Sequence, residues 1–254
     1  MDRKAGKKVA LVTGAASGIG LGIVKHLASV GYRVIVSDAD GAAADAARAN
    51  MAGDVIACAL DVTCPDRIEQ LASELGPVDL LINNAGIQYV AALEQFPVQM
   101  WQRIIDILLT GPALLTRAFL PAMRGQNFGR IINIGSIHAL VASPYKSAYV
   151  AAKHGLLGFS KTIALETASH DITINTLCPA YVKTPLVERQ ISAQAQSHGI
   201  TEAQVIETIM LKPMPKQAFI SLDEINTAID FLASSAARNM TGQTLVLDGG
   251  WTAQ

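Results

Sequence analysis

The sequence predicts an α/β fold: one domain over residues 1–254, built as a doubly wound parallel sheet of about seven strands with helices on both faces. Two observations predict it. Short apolar runs alternate with stretches of helical periodicity along the whole chain. A glycine-rich turn, Thr13-Gly14-Ala15-Ala16-Ser17-Gly18-Ile19-Gly20, joins the first apolar run to the first helical one.

Lys8–Thr13 is apolar enough to be a buried strand, and a helix with Leu21, Val24 and Leu27 on one side runs to about Val30, where Gly31 stops it. Arg33–Asp38 is the second strand, followed by an alanine-rich helix from about Ala42 to Met51. Val55–Leu60 is the third strand and Pro65–Leu75 a helix ended by Gly76-Pro77. Val78–Ile82 is the fourth strand, 98–123 one long helix, and Arg130–Ile134 the fifth strand. A helix is expected over 146–169 and a sixth strand over 173–177. The segment from Pro179 to Pro215 is less regular, with helical pieces near 185–196 and 202–211, and reads as a lid over about 180–215. A helix near 222–234 and the strand Thr244–Leu247 close the chain.

In a sheet of this kind ligands bind beyond the carboxyl ends of the strands. The Gly14 loop, Asp38, Asp61, Asn84, Ser136 and Pro179 all fall there. A glycine turn before a helix lets backbone N–H groups approach a pyrophosphate at the positive helix end. The spacing here is Gly14-x3-Gly18-x-Gly20, and a tight turn without a ligand is the competing reading. Asp38 ends the second strand about 20 residues past the loop, where a carboxylate accepts from ribose hydroxyls and repels a 2′-phosphate. With no arginine in the glycine loop, that favours NAD over NADP; a turn or helix cap before Gly41 is the alternative role for Asp38.

Tyr149 and Lys153 are four apart, one helical turn, and Lys146 lies three before the tyrosine. A phenol between two ammonium groups should have a lowered pKa and serve as a general base or acid at an alcohol or carbonyl oxygen. Ser136 ends the apolar run 131–134 and can hydrogen-bond the same oxygen.

Half of the residues are hydrophobic and 16% are charged, so disorder is excluded, and a net charge of -1 argues against nucleic acid as the main partner. The segment Asp2–Lys8 is basic without an apolar stretch before Val9, so no secretory signal is expected. No apolar run approaches the roughly 18 residues of a membrane span. Cys58, Cys64 and Cys178 form no C-x-x-C pair and are expected to be reduced core thiols, as in a cytoplasmic protein. No metal-ligand cluster is visible, and none is expected.

Taken together, residues 13–20, Asp61-Val62, 83–86, Ser136, Tyr149-x3-Lys153 and Cys178-Pro179 resemble the short-chain dehydrogenase/reductase family over nearly the whole chain. The resemblance implies a Rossmann-type sheet and an NAD-dependent dehydrogenase. It implies Ser136, Tyr149 and Lys153 as catalytic residues. It implies cofactor contacts at Gly14, Ser17, Gly18, Ile19, Asp38, Asp61, Val62, Asn84, Gly86, Tyr149, Lys153, Val182 and Thr184. Residues 84–88, 136–138, 146–155, 184–190 and 248–254 look most like members acting on small 3-hydroxy acids. In those, the residues matching Gln88, His138, Lys146 and Gln190 hold the substrate carboxylate, and the residue matching Trp251 shapes the pocket. The implied reaction is oxidation of (R)-3-hydroxybutyrate to acetoacetate, in a homotetramer paired through its longest helices.

One position departs from the family pattern. Leu108 stands where an asparagine usually completes the catalytic set. Pro112 has no N–H, which frees the carbonyl of residue 108; the expectation is that this carbonyl holds a water linking Lys153 to solvent. Two other readings stay open: a family enzyme acting on a neutral alcohol, and a weakly catalytic NAD-binding sensor or scaffold, for which Leu108 is the support.

Overall fold

The structure, a computed structural model, describes residues 6–253; the start of the basic segment, Asp2 to Ala5, and the terminal Gln254 lie outside them. The strands are β1 (Val9–Thr13), β2 (Arg33–Asp38), β3 (Val55–Ala59), β4 (Leu80–Asn83), β5 (Gly129–Ile134), β6 (Ile172–Pro179) and β7 (Thr244–Leu247). They form one seven-stranded sheet in the order β3-β2-β1-β4-β5-β6-β7, parallel throughout. The strand order reverses between β1 and β4, the point where such sheets open a crevice.

Alternation along the strands divides the core. Leu11 pairs with Ile35 and Leu81, Leu81 with Ile131, and Ile131 with Ile174. That row crosses five strands and faces one helical layer, none of its members more than 1% exposed. Each such side chain contributes about 1.5–3 kcal/mol by leaving water. The neighbouring row, including Val12, Val36, Ile82 and Ile132, faces the other layer. The first layer holds α3 (Pro65–Leu75), α4 (Val98–Ile105), α5 (Gly111–Gly125) and α6 (Ser147–Glu166). The second holds α1 (Gly18–Ser29), α2 (Gly41–Ala49) and α9 (Leu222–Ala233). A capping box, Ser221 with Glu224, starts α9.

Two expectations need correction. The long helix expected over 98–123 is broken by a π-helical stretch, Asp106–Thr110, between α4 and α5. Pro112 sits in the first turn of α5 and cannot donate back to residue 108, and the Gly111 N–H reaches the carbonyl of Asp106, five residues earlier. Val98–Gly125, 28 residues, is by length and composition alone long and apolar enough to cross a membrane, with mean hydropathy 1.4 over an 18-residue stretch. Its inner face, including Ile104, Leu115, Phe119 and Met123, is buried in the core instead. Finally, of the three free thiols only Cys178 is buried; Cys58 is half-buried and Cys64, the residue before α3, is exposed.

The lid comprises α7 (Pro185–His198), α8 (Glu202–Val205) and a π turn at Ile206–Met210. Thr184 caps α7 through the Val187 N–H, Pro185 opens its first turn, and Gly199 at φ 64° ends it. Ile191, Val205 and Met210 give this segment a small core of its own.

Candidate active site

Two adjoining cavities open at the carboxyl ends of the strands. The larger, about 380 Å³, is bounded by the Gly14–Ile19 loop, Asp38, the Asp61-Val62 pair, Asn84, Gly86, Tyr149, Lys153 and Thr184. Its shape is set by backbone. Gly14 and Gly18 have φ of +58° and +57°, and a Cβ on Gly14 would lie 2.6 Å from Ala85 Cα. A Cβ on Gly20 would lie 2.5 Å from both the Asn84 amide and the Gly14 carbonyl oxygen. Ser17 precedes α1 but makes no capping hydrogen bond, so first-turn N–H groups stay open toward the cavity.

Side chains here mostly hold that backbone. Asn84 Nδ2 donates to the carbonyls of Thr13 and Gly14, both at 2.9 Å. Asp38 accepts from the Ala16 N–H at 3.1 Å and from the Asp40 N–H at 3.2 Å. The Thr63 N–H and hydroxyl, at 2.9 and 2.8 Å, hold the Asp61 carboxyl below its ordinary pKa. The donor set fits a dinucleotide: open helix N–H groups for a pyrophosphate and an acid at the end of β2 for a ribose. Arg103 and Arg189 also line this cavity. Sequence reasoning looked for arginine in the glycine loop alone and missed them.

The smaller pocket, about 100 Å³, lies between Ser136, His138, Lys146, Tyr149, Gln88, Tyr181 and the lid residues Leu186, Val187 and Gln190. Ser136 follows β5 and caps a 3-10 turn, Ile137–Ala139, by accepting the His138 N–H. Tyr149 and Lys153 lie one turn apart in α6 and line the larger cavity together. Tyr149 borders both cavities, so it stands where a cofactor and a substrate would meet.

The electrostatics reverse one expectation. Burial pushes the Tyr149 phenol up to about 12, and the neighbouring Ser136 hydroxyl only partly offsets it. Lys153, whose own pKa burial lowers to about 8, donates to the Ile134 carbonyl at 2.6 Å; its Nζ is 5.7 Å from the Tyr149 ring centroid. Lys146 is not part of the helical stripe at all. It is the residue before α6, with Nζ 5.9 Å from the Tyr181 ring centroid, and burial lowers its pKa too. The phenol is therefore not held between two ammonium groups in the protein alone.

Lys146 is 9% exposed, and among the described residues no carboxylate pairs with it. Gln190 Nε2 donates to Gln88 Oε1 at 2.7 Å, tying the lid to the loop after β4, while Gln88 Nε2 is buried without a partner. His138 lines the pocket with both ring nitrogens engaged, Nε2 2.8 Å from Ser143 Oγ and Nδ1 3.4 Å from Ser136 Oγ. Burial, with the charges of Lys146 and His154, lowers its pKa to about 4.

Some expected residues sit elsewhere than anticipated. Val182, expected at the cofactor, lines the smaller pocket and bridges to Ile220. Trp251 stands behind the pocket wall, its ring 6.0 Å from His138 and stacked 6.0 Å from Tyr181. Leu108 is 1% exposed, borders the larger cavity with Lys153 and packs near Gly86. Tyr181 and Ser143 were not anticipated; the only signal for Tyr181 is its position just after Cys178-Pro179 at the end of β6.

Known proteins share this architecture. The family model for short chain dehydrogenases matches residues 8–195. A D-beta-hydroxybutyrate dehydrogenase of Cupriavidus necator is 47% identical, covering 97% of this chain and 98% of that protein. One from Rhizobium meliloti is 44% identical, covering 97% and 99%. Among solved structures, an actinorhodin polyketide ketoreductase with NADPH superimposes with a TM-score of 0.92 at 30% identity, covering 98% of each chain.

Proposed function

Since the chain belongs to the short-chain dehydrogenase family and is an oxidoreductase of it, we propose that it oxidises (R)-3-hydroxybutyrate to acetoacetate with NAD. The observation that carries this reading is a buried ammonium, Lys146, beside Tyr149 in a pocket of about 100 Å³. A buried charge without a counterion is costly, and a substrate carboxylate removes that cost. The volume is far below the roughly 300 Å³ at which pockets begin to hold drug-sized ligands, which favours a small acid over a steroid or an acyl thioester. The names of the two dehydrogenases above fit that class of substrate.

In this reading the carboxylate takes a charge-assisted hydrogen bond from Lys146 and one from the free Gln88 amide. Gln190 fastens the lid over it, His138 packs edge-on at 6.1 Å from the Tyr149 ring, and Trp251 backs the wall. Ser136 donates to the substrate oxygen and Tyr149 takes the hydroxyl proton as general base. When bound, oxidised NAD supplies the hydride acceptor and a positive charge. Gly14, Ser17, Gly18, Ile19, Asp38, Asp61, Val62, Asn84, Gly86 and Thr184 would form its cradle, with Lys153 on the nicotinamide ribose. Asp38 favours NAD over its 2′-phosphorylated form. The Leu108 carbonyl remains our candidate for the water leading from Lys153 to solvent, and a homotetramer in the cytoplasm our expectation for assembly and location.

The test is the initial rate of NAD reduction with the free (R) acid, its (S) enantiomer and its methyl ester. Fast turnover of the free (R) acid alone is expected. Equal rates with acid and ester would favour a neutral-alcohol dehydrogenase, and NAD binding without any turnover would favour the sensor reading.

A further inference from the structure

His138 lies between two serines whose roles differ. Its Nδ1 is 3.4 Å from Ser136 Oγ and its Nε2 is 2.8 Å from Ser143 Oγ. Ser136 Oγ also accepts the His138 backbone N–H at 3.2 Å and lines the smaller pocket beside Tyr149. A serine hydroxyl has one proton to give and two lone pairs to fill. A neutral imidazole has one N–H, and the partner of one nitrogen decides where that proton sits.

Two arrangements satisfy these contacts, and they are not equivalent for the reaction. If His138 Nε2–H donates to Ser143, its bare Nδ1 takes the Ser136 proton, and the serine turns away from Tyr149. If Ser143 donates to Nε2, the ring carries its proton on Nδ1 and gives it to Ser136. The backbone N–H and Nδ1–H then fill both lone pairs of Ser136 Oγ, and its own proton is left to point at the oxygen beside Tyr149. The donation from Ser136 to the reacting oxygen that the dehydrogenase reading requires belongs to the second arrangement.

We propose that Ser143 is a positioning residue for catalysis: by donating to Nε2 it holds His138 as the Nδ1–H tautomer, and His138 thereby aims the Ser136 hydroxyl at the reacting oxygen. The inference deepens the dehydrogenase reading and rests on it for its kinetic half. The imidazole is wedged edge-on between Tyr149 and Trp251, at 6.1 and 6.0 Å, so the ring has little freedom to turn. Its burial beside Lys146 keeps it neutral at working pH, which leaves the tautomer as the variable. Ser143 is partly exposed in the loop before α6, outside both cavities, so it acts through His138 and not on substrate. It follows that His138 has no N–H to spare for the substrate carboxylate, which falls to Lys146 and Gln88.

The experiment labels the histidine rings with 15N in the full-length protein and reads the His138 tautomer, assigned by its loss in His138→Asn, beside steady-state kinetics. Wild type should show Nδ1 protonated and Nε2 bare. Ser143→Ala should shift His138 toward Nε2–H and lower kcat about tenfold, the worth of one misdirected hydrogen bond, with KM for the hydroxy acid unchanged. Ser143→Thr should restore both. Nε2–H in wild type overturns the proposal, and so does a Ser143→Ala variant that loses kcat without a tautomer change or keeps both unchanged. If wild type turns over no hydroxy acid, the substrate reading fails while the tautomer measurement still decides the role of Ser143.

Discussion

The two cavities meet at Tyr149 and Thr184, yet they are made of different material. The larger is a backbone object: two glycines at positive φ, an uncapped helix end, and side chains such as Asn84 that spend their hydrogen bonds on the loop itself. The smaller is a side-chain object, in which a buried ammonium and a buried imidazole meet a half-buried amide and a half-buried phenol. Backbone cradles tolerate any anion that fits the helix end. Buried side-chain sets are selective, because each group left unpaired carries a desolvation cost.

That contrast breaks if mutations on one side disturb the other. Tyr149→Phe should cost about 10²–10⁴-fold in kcat, the usual worth of a positioned acid–base group, with NAD affinity by calorimetry unchanged. Lost NAD affinity would mean that the phenol, which borders both cavities, helps to hold the cofactor as well as the substrate. Gly14→Ala should do the reverse. It forces a side chain into φ +58° and against Ala85, costing about 1–3 kcal/mol in strain before the clash. Weakened NAD binding and a lowered melting temperature are expected, read by titration and thermal unfolding.

A third prediction concerns pH and the substrate side. The His138 pKa falls from 6.5 unfolded to about 4 folded. Its neutral form therefore contributes stability that is present above pH 6.5 and lost as pH falls through 4, up to roughly 3 kcal/mol. Urea unfolding at pH 7 and pH 4 should show a smaller acid loss for His138→Gln than for wild type. Equal losses would place the acid sensitivity elsewhere. A smaller effect belongs to the cofactor side: Asp38→Asn keeps the acceptor for the Ala16 N–H but removes the charge. It should narrow the proposed preference for NAD over NADP about tenfold, in line with one lost charge–charge interaction. An unchanged ratio of KM values would shift attention to Arg103 and Arg189.

The same contrast explains what the sequence disclosed. Backbone features are local, so Gly14-x3-Gly18-x-Gly20, the apolar runs and the acid ending β2 were readable without coordinates. The Tyr149–Lys153 pair was readable too, because four residues make one helical turn. What failed depended on where a side chain finds its partner. Lys153 turned out to serve the Ile134 carbonyl, and Lys146 to sit before the helix over Tyr181, so counting positions misjudged the direction of the Tyr149 pKa. The break at Asp106–Thr110 had its cause in plain view at Pro112, but the π geometry that absorbs it was not foreseen. Ser143 had no signal, since a serine five residues past a histidine means nothing until a 3-10 turn folds the two together.

The pocket beside Tyr149 is proposed to be a carboxylate receptor organised by Lys146. The most direct measurement is kcat/KM for (R)-3-hydroxybutyrate relative to its methyl ester, in wild type and in Lys146→Ala. Wild type should strongly prefer the free acid, and that preference should fall at least tenfold in the variant, as expected for loss of a hydrogen bond to a charged group. The same ratio in both proteins would contradict it.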